Sequence, residues 1–403
     1  MSENIQLSDR AYVSHVEACL RANLNKGLWQ LRDLVRNCQG AYPSLVLDIL
    51  NRMGSELLRS EVEAWSRRVA DPSLDSFGAL DGIEGNPVLS SWYFTARACR
   101  RIERLWDWST HRIAFLGTPR VYDWFSSSNL GASRVLLDLD ALVTQKLKEA
   151  HGGDLIVNYD VKDELPHNLV RQFTCVVCDP PWYLDDYHLW IRRSRELAAG
   201  GVLCITVYPA LVKPAAAGER QSILREIAQD SVSLTLLSEF LEYEIPSFEL
   251  AQLAEAGVTD LDWWKVADLA IAQLTKSPPA IAPTRQPKKK DGTWHEVDIG
   301  SLRIFINAAI QERRDGPLLI PAHDTGILPS PSRREPALQH VNVMTSRGHG
   351  FICGDVTKLR LILETFSEVL AANRDPNLAI GPMNIDPESL KTLLSVLRLP
   401  GGS

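Results

Sequence analysis

No apolar run in the 403-residue sequence approaches the ~18 residues that a membrane-spanning helix needs, so no membrane span is expected. Positive charge is not in excess either. Lys and Arg number 43 against 50 Asp and Glu, a formal net charge of −7. That balance excludes a protein that grips nucleic acid with its whole surface, and leaves room only for a local basic groove. Cysteine is scarce, with seven residues scattered through mostly apolar stretches. An odd, dispersed set reads as reduced thiols in a cytosol rather than a disulfide framework. Cys175 and Cys178 form a C-x-x-C, but no second Cys/His pair stands at zinc spacing. Strand positions three apart also point to opposite faces, so no metal site is expected. The opening MSENIQLSDR has no charged-then-apolar leader, and the expected location is cytoplasmic. A full G-x-G-x-x-G is missing, as is any internal repeat.

What remains is the composition of an ordinary globular protein, 45% apolar and 23% charged. Its length allows two or three domains. From residue 11 the apolar positions recur at helical spacing: Val13, Val16, Leu20 and Leu24, then Leu28, Leu31, Leu34 and Val35. Pro43 opens another helix, and residues 61–69 read as a further one. Residues 1–105 are therefore expected to form a helical, winged-helix-like N-terminal domain. Arg97, Arg100, Arg101 and Arg104 cluster beside Trp92, Tyr93, Trp106 and Trp108. A solvated helix face with packed aromatics is preferred there over a phosphate contact.

Strands and helices alternate from residue 106 to 276. HRIAFL (111–116) runs into Gly117-Thr118-Pro119, a helix follows, and a second strand ends in Asp138. This is the order of a dinucleotide-binding βαβ unit, whose strand-terminal acid accepts from ribose hydroxyls. Asp138 is the candidate, with Asp140 the nearby alternative. A third strand at residues 155–157 leads to Asn158-Tyr159-Asp160. The fourth, TCVVC (174–178), stops at Asp179-Pro180-Pro181-Trp182. Two prolines cannot feed a sheet ladder, so a stiff loop presents a carboxylate and an indole at the strand's carboxyl end, where open α/β sheets bind ligands. Residues 187–197 read as a helix capped by Gly200-Gly201, and residues 202–207 as a fifth strand. The fold class expected is α/β, a Rossmann-like doubly wound parallel sheet. Residues 277–292 (SPPAIAPTRQPKKKDG) read as a basic, proline-rich linker. Residues 293–403 read as a small α+β C-terminal segment for substrate recognition or an accessory role. Its polar stretch 345–350 suits a binding loop, with Arg347 and His349 available to a phosphate or carboxylate.

The order FLGTP, LLDLD, NYD, DPPW, GGVLCITV resembles class I methyltransferases that use S-adenosylmethionine. Asp179-Pro180-Pro181-Trp182 resembles motif IV of the amino-group enzymes, adenine-N6 methyltransferases above all, and Phe115-x-Gly117 resembles the F-x-G of their motif I. The same stretch is similar to the lysine methyltransferases of elongation factor 1 alpha. It is also similar to the branched-chain polyamine synthases, aminopropyl transferases with a winged helix ahead of this core. The resemblance implies S-adenosylmethionine as cofactor, held by Phe115, Gly117, Thr118, Asp138 and Asp160. It implies Asp179, Pro180, Pro181 and Trp182 as the catalytic loop. There the carboxylate and a proline carbonyl each accept one N–H of the acceptor, aiming its lone pair and taking up developing positive charge. Trp182 or Tyr183 is placed to stack on a base or wall off the site.

Residues 242–249 (EYEIPSFE) offer two readings. Glu242, Tyr243 and Glu244 line a pocket for an amine acceptor, or the stretch is a solvent-facing acidic loop. The expected function is methyl transfer to an amino group, foremost adenine N6 in DNA or RNA. A protein lysine or a polyamine is the alternative acceptor, and a catalytically degenerate scaffold subunit the alternative role. No expectation attaches to oligomeric state.

Overall fold

The structure is a computed structural model that describes residues 9–28, 30–53, 78–152, 155–259, 261–275, 294–310, 316–329, 336–372 and 385–397. The helix expected over residues 61–69 and the linker expected over 277–292 lie outside the described residues. Two compact units form. One takes Met1–Asp81, Trp92–Ile245 and Val258–Pro283; the other takes Gly82–Ser91, Pro246–Gly257 and Thr284–Ser403. The described N-terminal helices group with the central sheet in the first of these units. Residues 82–91 and 246–257 group with the C-terminal segment.

The first unit is built on a sheet ordered β3-β2-β1-β4-β5-β7-β6. Its strands are β1 (Arg112–Leu116), β2 (Ser133–Asp138), β3 (Ile156–Asn158), β4 (Phe173–Cys178), β5 (Ala198–Val207), β6 (Ser231–Glu242) and β7 (Val266–Leu274). The pairs among β1 to β5 are parallel, whereas β7 runs antiparallel to both β5 and β6. Short apolar runs such as RIAFL and FTCVVC suit strands covered on both faces. Ile113, Ala114, Phe115, Cys175 and Val176 are all fully buried. Helix α5 (Pro119–Ser127) opens on a proline, whose missing N–H would be unsatisfied there anyway. Helix α6 (Ala141–His151) is capped by Asp140, which accepts from the Val143 N–H at 3.3 Å. The N-terminal helices α1 (Asp9–Asn25), α2 (Leu31–Arg36) and α3 (Pro43–Arg52), and α4 (Ala96–Glu103), also belong to this unit, as do the helices Leu184–Leu197 and Ala216–Gln229.

One expectation fails. Gly200-Gly201 do not cap the preceding helix, α7 (Leu184–Leu197), because β5 already begins at Ala198. Gly201 is needed inside the ladder instead. A Cβ there would lie 1.9 Å from the Thr174 carbonyl oxygen, beside the irregularity where β4 pairs with β5.

The second unit holds an antiparallel sheet ordered β10-β12-β11-β9-β8. Its strands are β8 (Trp294–Ile299), β9 (Leu302–Asn307), β10 (Leu319–Pro321), β11 (Val343–Thr345) and β12 (Gly350–Cys353). Helices Val356–Ala371 and Pro387–Leu397 bury Leu359, Ile362, Leu363, Phe366, Leu393 and Val396 against one sheet face. The stretch 345–350 forms the turn between β11 and β12, closed by Thr345 N–H to His349 O and Gly348 N–H to Thr345 O, each 3.0 Å. Arg347 in that turn pairs with Glu84 at 3.2 Å. Among the described residues no helix is long and apolar enough to cross a membrane, and no His/Cys/Asp/Glu group could hold a metal.

Candidate active site

The strand order reverses direction at β1, which has β2 on one side and β4 on the other, and such a switch point is where open α/β sheets hold ligands. Leu116 pairs with Cys178 across β1 and β4, so Gly117 and Asp179 leave the sheet side by side. The Asp179 N–H donates to Leu116 O at 3.3 Å, fastening the loop to β1. Pro180 and Pro181 have no N–H to donate, and the Tyr183 N–H closes the turn onto Pro181 O at 2.7 Å. Helix α7 then starts with Asp185 and Asp186 in its first turn, where negative charge is favoured.

The Asp179 carboxylate is held on one side only. Thr206 Oγ1 donates to Oδ1 at 2.6 Å and the Tyr243 hydroxyl donates to the same oxygen at 2.8 Å. Among the described residues nothing bonds to Oδ2, and that atom is not sealed from solvent. Asp179 is therefore enclosed by protein around Oδ1 while the residue as a whole remains half-buried. Enclosure raises its pKa to about 6, against the Thr206 and Tyr243 hydrogen bonds and the charge of Lys265, all of which favour the carboxylate.

Aromatic rings surround this group. Trp182 meets Tyr243 edge-on at 5.7 Å and Tyr208 at 6.0 Å, and Trp92 meets Tyr243 edge-on at 6.4 Å. Lys213 fixes the loop from its far side, donating to Trp182 O at 3.0 Å while paired with Glu219 at 2.6 Å. Tyr183, the neighbouring candidate, precedes α7 as its N-cap residue and lies 5.8 Å below the Lys213 ammonium.

The residues implied for the cofactor occupy the same strand edge. Gly117 adopts a φ of +61°, and its N–H donates to Leu137 O at 2.9 Å. A Cβ there would fall 2.3 Å from the Trp190 indole, so both the backbone and the packing require glycine. Thr118 Oγ1 reaches Val177 O at 3.4 Å. Asp138 ends β2 half-buried, with Oδ1 accepting the Asp140 N–H at 2.8 Å. Asp160 Oδ1 accepts the Lys162 N–H at 2.9 Å in the turn after β3. Phe115 is wholly buried, packed edge-on against Tyr122 and Phe125. A bare backbone turn with an acid on the adjacent strand fits a nucleoside-bearing donor such as S-adenosylmethionine.

The acidic stretch divides between the two units after Ile245. Glu242 is buried and paired with Arg97 at 2.9 Å and Arg101 at 2.8 Å. Glu244 pairs with Arg120 at 3.2 Å, and burial raises its carboxyl above the usual range against that arginine's pull. Of the three residues taken from this stretch, only Tyr243 is bonded to Asp179. The arginines of α4 meet these acids and aromatic faces: Arg100 lies 5.6 Å over Trp124 and Arg97 5.1 Å over Trp263. Sequence reasoning missed Thr206, Trp92 and Lys265. The one readable sign was Thr206, a lone hydroxyl at the end of the apolar run GVLCITV.

Residues 87–200 match a family described as "Probable N6-adenine methyltransferase", a span that contains β1 to β4 and the Asp179 loop. No match is found among curated protein sequences. Among solved structures, the fold is similar to a branched-chain polyamine synthase mutein from Thermus thermophilus, bound to N4-aminopropylspermidine and 5'-methylthioadenosine. Identity is 16% and the TM-score 0.50, over 66% of this chain and 86% of that one. The parent synthase from the same organism, in the same complex, gives 16% identity and a TM-score of 0.49 over 66% and 87%. The first unit thus carries a Rossmann-like sheet, and residues 87–200 of the chain are similar to that methyltransferase family.

Proposed function

We propose that this protein methylates the exocyclic amino group of adenine in a nucleic acid, at Asp179. The observation that carries the reading is the asymmetry of the Asp179 carboxylate, with Oδ1 fixed by Thr206 and Tyr243 and Oδ2 unbonded among the described residues, on a loop that leaves the sheet next to the Gly117 turn. When bound, S-adenosylmethionine supplies an electrophilic methyl group; Gly117, Thr118, Asp138 and Asp160 are the residues that would hold it. Asp179 Oδ2 accepts one N–H of the acceptor and the Pro180 carbonyl, unbonded among the described residues, accepts the other. The nitrogen is thereby oriented, and the positive charge that develops on it meets a carboxylate at hydrogen-bond range. Oδ2 then takes the proton that the nitrogen must lose, a role suited to a group whose pKa is about 6. Trp182 offers an indole face on which a purine stacks.

An aliphatic amine is the second reading. It is supported by the polyamine synthase mutein of similar fold, which is bound to N4-aminopropylspermidine, although here the indole faces of Trp92 and Trp182 are already turned toward one cationic nitrogen at 3.9 and 4.3 Å. Transfer of a tritiated methyl group to DNA, RNA, lysate protein and polyamines, run in parallel, separates the two. Label is expected in adenine N6 of a nucleic acid, and absent with Asp179→Ala. Label confined to polyamine or protein lysine would replace the acceptor, and no transfer to any of them would remove the reading.

A further inference from the structure

The cation between those two indoles belongs to the chain itself. Lys265 Nζ lies 3.9 Å from the Trp92 ring centroid and 4.3 Å from that of Trp182. Its main chain is tied to the same site, because the Tyr243 N–H donates to Lys265 O at 3.0 Å and the Tyr243 hydroxyl donates to Asp179. Trp92, Trp182 and Lys265 are each half-buried, so the slot opens to solvent on one side. Two indole faces about a cation make an alkylammonium site, and here that site is already filled. A second ammonium approaching Asp179 would meet the Lys265 charge, which already acts on that carboxylate. A neutral aromatic amine meets no such repulsion.

We infer that Lys265 is a specificity-determining residue, whose ammonium fills the Trp92–Trp182 slot and bars alkylammonium acceptors from Asp179. The inference rests on the reading of Asp179 as the acceptor site, and names what that site rejects. Lys265→Met keeps the aliphatic stem and removes the charge, whereas Lys265→Arg keeps the charge.

The test is a titration of the full chain with tetramethylammonium and with spermidine, followed by tryptophan fluorescence and calorimetry, with no methyl donor present. Wild type and Lys265→Arg are expected to show no saturable binding at millimolar ligand. Lys265→Met is expected to bind both probes about 10-fold more tightly or better, the gain of one cation–π pair of about 1.4 kcal/mol. Wild-type protein that binds spermidine as tightly as Lys265→Met overturns the inference, as does a folded Lys265→Met that gains nothing. Lys265→Gln, read the same way, serves if the methionine variant melts early. Because binding is measured without transfer, failure to methylate adenine sinks the acceptor assignment alone, and gain of ammonium binding in the variant stands apart from it.

Discussion

Replacing Tyr243 with phenylalanine isolates one of the two hydrogen bonds that keep Asp179 ionised. The hydroxyl donates to Oδ1 at 2.8 Å from a side chain 2% exposed. A hydrogen bond to a charged group is worth about 1.5–3 kcal/mol, and about 1.4 kcal/mol moves a pKa by one unit. Tyr243→Phe therefore raises the Asp179 pKa from about 6 by about 1–2 units. If the carboxylate is the working form, the acid limb of kcat/KM against pH moves up by the same amount, since that profile reports the free enzyme. At pH 6 the variant is slower by about 5- to 50-fold, while at pH 9 it comes within about twofold of wild type.

Stability follows with a definite sign. The folded pKa of about 6 lies above the ordinary 3.8, so this group contributes stability that is present below the unfolded pKa and lost as pH rises through the folded one. In Tyr243→Phe that loss continues to higher pH, and its deficit against wild type in thermal melts widens from acid to neutral pH. An acid limb that stays at the wild-type midpoint in a folded Tyr243→Phe would refute the assignment of that limb to Asp179.

Asp179→Ala is expected to abolish transfer while leaving S-adenosylhomocysteine binding within a few-fold of wild type, read by calorimetry; unchanged turnover removes Asp179 from the chemistry. Gly117→Ala places a Cβ 2.3 Å from the Trp190 indole at a φ of +61°. The left-handed backbone alone costs about 1–2 kcal/mol, so the variant should lose both urea stability and S-adenosylhomocysteine affinity. Full affinity in Gly117→Ala would remove this turn from the donor site. Glu242→Gln weakens two arginine pairs at a buried carboxylate, but Arg97 and Arg101 still reach water. The urea midpoint should therefore report a loss of about 2 kcal/mol, and donor binding should stay intact.

Strands β1, β2 and β4 were legible because each is a short apolar run ended by a glycine, an acid or a proline pair. A parallel strand covered on both faces writes itself into sequence as an unbroken hydrophobic segment. The Asp179 loop was legible for a local reason too, since two prolines after a strand allow little else. What surrounds Asp179 was not. Thr206, Tyr243 and Lys265 come from β5, from the residue after β6 and from the residue ahead of β7, and Trp92 from far upstream. Only the order of strands brings them together, and no spacing rule encodes that order. Gly200-Gly201 misled for a related reason: a glycine pair after a helix usually marks a cap, whereas here the constraint is a carbonyl on the neighbouring strand. The acidic character of residues 242–249 was visible, but the arginines of α4 and α5 that absorb it lie more than a hundred residues away.

The ionisation of Asp179 bears on the acceptor as directly as its geometry does. An aliphatic amine resembles a lysine side chain, with a pKa near ~10.4, and at neutral pH its lone pair is blocked by a proton. That proton must leave before the nitrogen can attack a methyl group. A carboxylate whose pKa is about 6 is too weak to remove it, by roughly 4 units or about 6 kcal/mol. The Lys265 charge would help to deprotonate a neighbouring ammonium, yet the same repulsion opposes its entry. The acids that might have drawn such a cation in, Glu242 and Glu244, are paired with arginines. An adenine amino group carries no proton to shed before attack. It needs a base only afterwards, when the methylated nitrogen bears positive charge and is itself strongly acidic, and for that step a carboxylate of this strength is sufficient. On the proposed reading, the methylation of a neutral, weakly basic amine is the chemistry that asks least of Asp179.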